Sequence, residues 1–187
     1  MKIKEFLQKK WWAVPAIVNL VLLSLSAVLL GIFLILNWKC ILNPELSHGY
    51  SFGTPFGDGG DIFRVGFFIS HAIIFWLTIF DLVQIIIIPL NNWAAQKTVL
   101  YVFSGIVVIE LTCLGYISSL LSLFVWLLPL MAFDSLTKPI IIPLAIIILS
   151  AILAFMKKRI ALPLCLFALT ATASFSLEIF ACYLYLD

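Results

Sequence analysis

Between Ile62 and Leu90 the chain is apolar for long enough to cross a bilayer, yet the stretch carries Arg64, His71, Asp81 and Gln84. Ionisable groups in hydrocarbon cost kilocalories each, so they turn toward other helices, water or a pathway. A segment of this kind cannot stand alone in lipid. It needs neighbours that meet its polar side chains, and two further acids, Glu110 and Glu178, lie in other apolar runs of the same chain. The sequence therefore predicts an all-α, polytopic helical bundle of the membrane, organised around these polar groups.

Composition agrees with that reading. Of 187 residues, 64% are hydrophobic and 11% charged, with a mean hydropathy of +1.21. Soluble domains run near half apolar and a quarter charged, so long apolar runs in this background mean bilayer spans. No polar segment is long enough for a soluble domain, and 1–187 is expected to be a single integral membrane domain. The net charge of +2 provides no basic face, and nucleic acid is not an expected partner. The four cysteines, Cys40, Cys113, Cys165 and Cys182, form no C-x-x-C or C-x-x-C-H pattern. That pattern argues against a thiol-redox enzyme, a zinc site and covalent haem. No metal and no cofactor is expected. His71 would make a poor haem ligand, because the other histidine, His48, falls in a polar loop and a second axial histidine at depth is missing. No G-x-S-x-G occurs, and no serine is visibly paired with His71.

Four lysines, Lys2, Lys4, Lys9 and Lys10, precede Trp11 and Trp12. Basic residues belong on the cytoplasmic side and tryptophans at the headgroup level. The apolar run that follows, about 13–37, is too long for a signal-peptide core and reads as an uncleaved first span. Pro15 falls in its first turn, where a missing N–H costs little. Ala27 and Gly31 allow close approach of another helix. Residues 39–61 form an outer loop with Gly49, Gly53, Gly57, Gly59 and Gly60, a composition that sustains neither helix nor strand. Asp58 and Asp61 lack the ligand spacing of a calcium loop. The second span is 62–90.

From 98 to 133 a continuous helix would be about 54 Å long, against a hydrocarbon core of about 30 Å. One alternative is a span over 98–120 followed by an interfacial segment over 121–133, carrying Trp126 and Pro129. The other is two short spans broken near Gly115. Charge favours the first, because two spans would put Lys157, Lys158 and Arg159 outside. Further spans are expected over 139–156 and 160–185. Ala168, Thr172 and Ser176 recur on one face of the last span, a small-residue pattern that lets membrane helices pack closely. The result is about five spans, with the N-terminus cytoplasmic and the C-terminus outside. Lys2, Lys4, Lys9, Lys10, Lys97, Lys157, Lys158 and Arg159 then lie inside, and only Lys39, Arg64 and Lys138 outside. The compact form and the charge asymmetry suggest a bacterial inner (plasma) membrane.

Counting about 1.5 Å per residue from the cytoplasmic ends puts Asp81 about 14 Å deep and Glu110 about 18 Å deep. The same count puts His71 at about 28 Å and Glu178 at about 27 Å. Two layers are predicted: Asp81 with Glu110, and His71 with Glu178, with Arg64 above. The candidate polar site is His71, Asp81, Glu110, Glu178, Arg64 and Gln84. Carboxylates and a histidine at two depths suit a proton relay or a cation path; they equally suit hydrogen bonds that lock helices together. Cys40 and Cys182 fall at the outer face and are candidates for a disulfide in an oxidising compartment.

Three functions follow. The leading one is a non-enzymatic subunit or accessory factor of a larger membrane complex, whose partners are the lipid bilayer and a membrane protein or further copies of itself. The second is a small proton- or cation-coupled transporter that uses the intramembrane carboxylates. The third, and least supported, is a membrane enzyme acting at the outer face near Arg64 and the glycine-rich loop.

Overall fold

The structure, a computed structural model, describes residues 11–36, 38, 42, 62–132 and 137–185. Among the described residues there are six α-helices and no strand: α1 (Val14–Leu36), α2 (Ile62–Ile87), α3 (Trp93–Thr112), α4 (Tyr116–Ala132), α5 (Thr137–Phe155) and α6 (Ala161–Tyr185). A 3-10 turn, Trp11–Ala13, leads into α1. Four stretches are long and apolar enough to cross a membrane: Trp11–Ile35, Gly66–Ile87, Trp93–Thr112 and Ala161–Phe180. The expected count was about five. The apolar stretches Tyr116–Trp126 and Ile141–Phe155 are shorter.

α2 is the centre. In its apolar stretch 61% is buried, against 17% for the stretches of α1 and α3. It packs on α1 and α6 along most of its length and on α3 and α4 over part of it, while α5 packs along α6. One apolar cluster, Ile73, Leu77, Phe80 and Phe103, joins α2 to α3 and is covered by Val18 and Leu22 of α1. The Phe80 and Phe103 rings stack with centroids 4.3 Å apart. A second cluster, Phe33 and Phe67 with Leu30, Leu177 and Phe180, closes the far end of α1, α2 and α6.

The helix ends follow from local chemistry. Pro89 lies just past the end of α2, where a residue without an N–H cannot continue the ladder. Asn91 turns the chain at φ 51°. Asn92 then caps α3, its side chain accepting from the Ala95 N–H at 3.1 Å. Arg159 Nη1 donates to Asn91 Oδ1 at 2.9 Å, tying the α2–α3 turn to the α5–α6 turn. Trp11 packs against Trp93 with centroids 6.1 Å apart, which brings the start of α1 to the same end. This is the end that carries Lys97, Lys157, Lys158 and Arg159.

Two boundaries in the awkward middle segment differ from expectation. The span expected over 98–120 is a helix that starts earlier, at Trp93, and stops at Thr112. The interfacial segment expected over 121–133 belongs to α4, which begins at Tyr116. The early start comes from the Asn92 cap; the stop at Thr112 and the separate start of α4 come from Leu114 (φ 53°) and Gly115 (φ 74°). Two successive left-handed residues end an α-helix, and the Gly115 N–H donates back to the Glu110 carbonyl at 2.9 Å, the closing bond of a Schellman turn. A side chain at 115 is excluded twice over. Its Cβ would lie 2.6 Å from the Phe68 carbonyl oxygen and 3.1 Å from the Ala72 Cβ, and its φ is one that L-residues avoid.

The turn is therefore pressed against α2 and cannot move away without losing that contact. Gly115→Ala is expected to destabilise the bundle by about 2–3 kcal/mol, combining left-handed strain with overpacking. Thermal unfolding of the purified protein in detergent measures it. A midpoint equal to the parent's would mean that the turn does not sit on α2 as described.

Candidate functional site

α2 and α6 run antiparallel, and the surface between them is polar at both ends of their contact. As α2 passes from His71 to Asp81, α6 runs back from Glu178 to Thr170. On α6, Thr170, Ser174 and Glu178 are spaced by four residues and so share one face. All three are buried, at 0%, 0% and 3% exposure. On α2, His71, Thr78 and Asp81 are buried as well. The two rows make a buried polar seam between the helices.

At one end His71 Nε2 lies 3.2 Å from Glu178 Oε2. The contact is close but not aligned as a hydrogen bond. Ser122 of α4 donates to the same Glu178 oxygen at 3.0 Å. Trp126 of α4 donates from Nε1 to Ser174 Oγ at 3.1 Å and packs edge-on against Phe175. The Phe67 ring stacks over His71 at 6.3 Å and meets Phe33 and Phe180. These aromatics close the His71–Glu178 pair off from that end of the bundle.

About 15 Å further along α2, at ten residues of helix, Asp81 is held by two neighbours. Asn19 of α1 donates from Nδ2 to Asp81 Oδ1 at 2.6 Å. Thr170 of α6 lies with its hydroxyl 3.2 Å from Asp81 Oδ2, and the same hydroxyl has the Leu166 carbonyl at 2.9 Å. One turn on, Gln84 is 1% exposed, and neither atom of its side-chain amide has a partner among the described residues. Asp81 and Gln84 line a narrow recess of about 10 Å³ together with Trp12, Ala16, Ile88 and Arg159. The recess opens toward the basic end of the bundle.

The expected layer of Asp81 with Glu110 is not formed. Glu110 lies between α2 and α3 beside Ile69, Ala72, Ile73, Trp76 and Val107, and neither of its carboxyl oxygens has a partner among the described residues. The reason is the helix boundaries. Because α3 starts at Trp93, Glu110 is about 26 Å along it at 1.5 Å per residue, while Asp81 is only about 9 Å from the end of α2 at Ile87. Glu110 is thus at the depth of His71, and on another side of α2.

The small-residue face is also shifted. Ala168 is buried, Thr172 half-buried and Ser176 exposed; the face turned inward is the one offset by two residues. Asn19, Ser122 and Thr170 were not singled out from sequence. Asn19 did leave a signal, as a lone amide in an otherwise apolar first span, and a polar side chain there calls for a partner. Arg64 lies in the first turn of α2, and its side chain is outside the described residues. So are Cys40, the Cys182 side chain and nearly all of the glycine-rich loop. Cys113 and Cys165 are free thiols. Among the described residues no three His, Cys, Asp or Glu side chains gather as a metal cluster.

No protein-family model, curated protein or solved structure matches the chain.

Asp81 and Glu110 make a controlled pair, two buried acids with opposite surroundings. Asn19→Leu removes the shorter bond to Asp81 and is expected to cost about 1–2 kcal/mol. Glu110→Leu replaces an orphaned carboxyl by an apolar side chain of similar size and is expected to leave stability unchanged or raise it. Thermal unfolding of both variants in the same detergent checks the contrast. A larger loss at Glu110 than at Asn19 would reverse the assignment.

Proposed function

We propose that the protein is a small carrier of the bilayer that moves protons or another small cation along the seam between α2 and α6. The observation that carries this reading is the pairing of two buried acids with ionisable or polar partners at two depths on one helix: His71 with Glu178, and Asp81 with Asn19 and Thr170. Neutral hydrogen-bonding side chains are enough to fix a helix against a neighbour. Two acids and an imidazole along one interface supply more acid–base chemistry than fixing requires.

His71 can take a proton from Glu178 or return it over 3.2 Å, with Ser122 steadying the carboxyl oxygen. Ser174 and Thr78 lie between the two levels. The Asp81 level opens through the recess beside Gln84 to the basic end. In this reading that end is cytoplasmic, by the positive-inside rule, and α5 makes the fifth crossing. The N-terminus is then inside and the C-terminus outside. The setting is a bacterial inner membrane.

The test is dissipation of an imposed pH gradient in proteoliposomes, followed with an entrapped pH dye. His71→Ala, Glu178→Gln and Asp81→Asn are each expected to slow the flux on the order of a hundredfold, the low end for losing a positioned proton-transfer group. Variants that fold, insert and keep the parental rate would sink the carrier reading.

A second reading, a subunit that docks in a larger membrane complex, is favoured by α1. Gly31 has open space where a Cβ would be, Ala27 one turn before it is exposed, and Val28, Ile32 and Ile35 beside it are exposed. Native mass spectrometry of protein extracted gently from its own membrane tests it. Docking predicts a stoichiometric partner or a homo-oligomer, lost on Gly31→Leu. A lone monomer removes this reading.

A further inference from the structure

We propose that Gln84 holds one water molecule against Asp81, and that this water is the step through which protons, and not metal cations, enter the seam from the basic end. The inference rests on the carrier reading and deepens it, by naming the cargo and the side chain that admits it.

Asp81 and Gln84 are three residues apart and so lie on one face of α2. Both line the same narrow recess, and they are 2% and 1% exposed. Asp81 has donors of its own in Asn19 and Thr170. Gln84 has a partner for neither amide atom among the described residues. Burying an amide in that state is costly, and an apolar side chain of the same length would avoid the cost. What the amide adds at this position is hydrogen bonding beside a buried carboxyl group.

The recess measures about 10 Å³, the scale of one water molecule. Water both donates and accepts. It can accept from the Gln84 amide nitrogen while donating to a carboxylate oxygen of Asp81, and each such oxygen has a lone pair to spare beside the bond it already accepts. The amide thus orients the water, with a lone pair toward Gln84 and a hydrogen toward Asp81. Proton entry then needs no moving side chain. One proton passes from the water to the carboxylate as another joins the water from the mouth. One O–H bond breaks as another forms, and the water is restored. Gln84 is a positioning residue in this step and takes no proton itself.

The same lining does not suit a metal cation. Asp81 and Gln84 are its oxygen-bearing side chains, and the rest is Arg159 with apolar and aromatic groups. Hard cations take about six or more oxygens, and the space of one water does not admit an ion with its shell. A proton needs neither a cage nor extra room.

The experiment is infrared spectroscopy of the purified full chain in detergent, at a pH acid enough to protonate the buried carboxyls. Transfer from light to heavy water shifts each carboxyl band as its proton exchanges. Asp81→Asn and Glu110→Leu assign the two bands. Gln84→Met keeps the length of the side chain and removes its hydrogen-bonding groups, and Gln84→Leu is a second variant of the same kind. Thermal unfolding in the same detergent checks that each is folded. Both are expected to slow exchange at Asp81 about tenfold, the scale of one lost hydrogen bond. Exchange at Glu110, on another side of α2, is expected to stay at the parental rate. Sodium and potassium uptake by proteoliposomes is expected to match that of empty liposomes.

Parental exchange at Asp81 in both variants, equal slowing at Glu110, or sodium or potassium uptake above the empty liposomes would each overturn the proposal. Exchange is read without a gradient, so the two readings fail separately. Slowed exchange at Asp81 in a protein that dissipates no pH gradient removes the carrier reading and leaves the water. Dissipation by the parent with unchanged exchange in both variants removes the water and leaves the carrier.

Discussion

The short hydrogen bond from Asn19 to Asp81 joins two helices that have no other strong reason to hold one register. In a bilayer, lipid is as good a neighbour as leucine, and the hydrophobic effect does little to choose between packings. An apolar helix such as α1 can slide or rotate against α2 at small cost until a polar side chain finds its partner. Asn19 meeting Asp81 at 2.6 Å sets both its height and its rotation. Thr170, facing the other carboxyl oxygen, does the same for α6. A second fixed point, His71 against Glu178, lies on the order of 15 Å along α2. Two fixed points on one interface define the antiparallel alignment of α2 and α6, and the apolar clusters fill in around them.

How much of this was legible in the sequence depends on which quantity each inference used. The apolar runs were read from length and composition, and four of them are long enough to span. Counting residues from the chain's basic end put His71 and Glu178 at one depth, and they lie 3.2 Å apart. The same count put Asp81 level with Glu110, and there it failed. A depth is only as good as the helix end from which it is measured, and moving the start of α3 to Trp93 shifts Glu110 by about 8 Å. Choice of face was harder still. On α6 two sets of small or polar residues share a spacing of four, Ala168–Thr172–Ser176 and Thr170–Ser174–Glu178. Periodicity cannot rank them; the row that ends in an acid is the one that is buried, because the acid needs a partner more than an alanine needs a close neighbour.

α4 shows how a local backbone feature produces a distant contact. Had the helix continued through residue 115, its axis would have run on past the bundle and Ser122 could not have reached Glu178. The left-handed pair Leu114–Gly115 ends α3 and redirects the chain. Gly115, lacking a Cβ, lets the turn rest on the backbone of α2 at Phe68, less than one turn from His71. From that seat α4 delivers Ser122 to Glu178 and Trp126 to Ser174. One glycine therefore decides how the His71–Glu178 pair is supported.

Glu110 sharpens the distinction between a buried acid and a buried acid with partners. It is as buried as Asp81 and Glu178, at 4% against 2% and 3%. Its position in α3 is fixed by its own backbone, since its carbonyl accepts the Gly115 N–H that closes the turn. Its carboxyl lies among apolar side chains and has no partner among the described residues. Burial alone would rank the three acids equally; surroundings separate them. Asp81 and Glu178 sit where two or three helices bring donors to them, on the seam that α2 shares with α6. Glu110 sits on another side of α2, away from that row. The row from Glu178 through Ser174 to Thr170 and Asp81 keeps its buried polar groups on one side of α2, and Glu110 is not part of it.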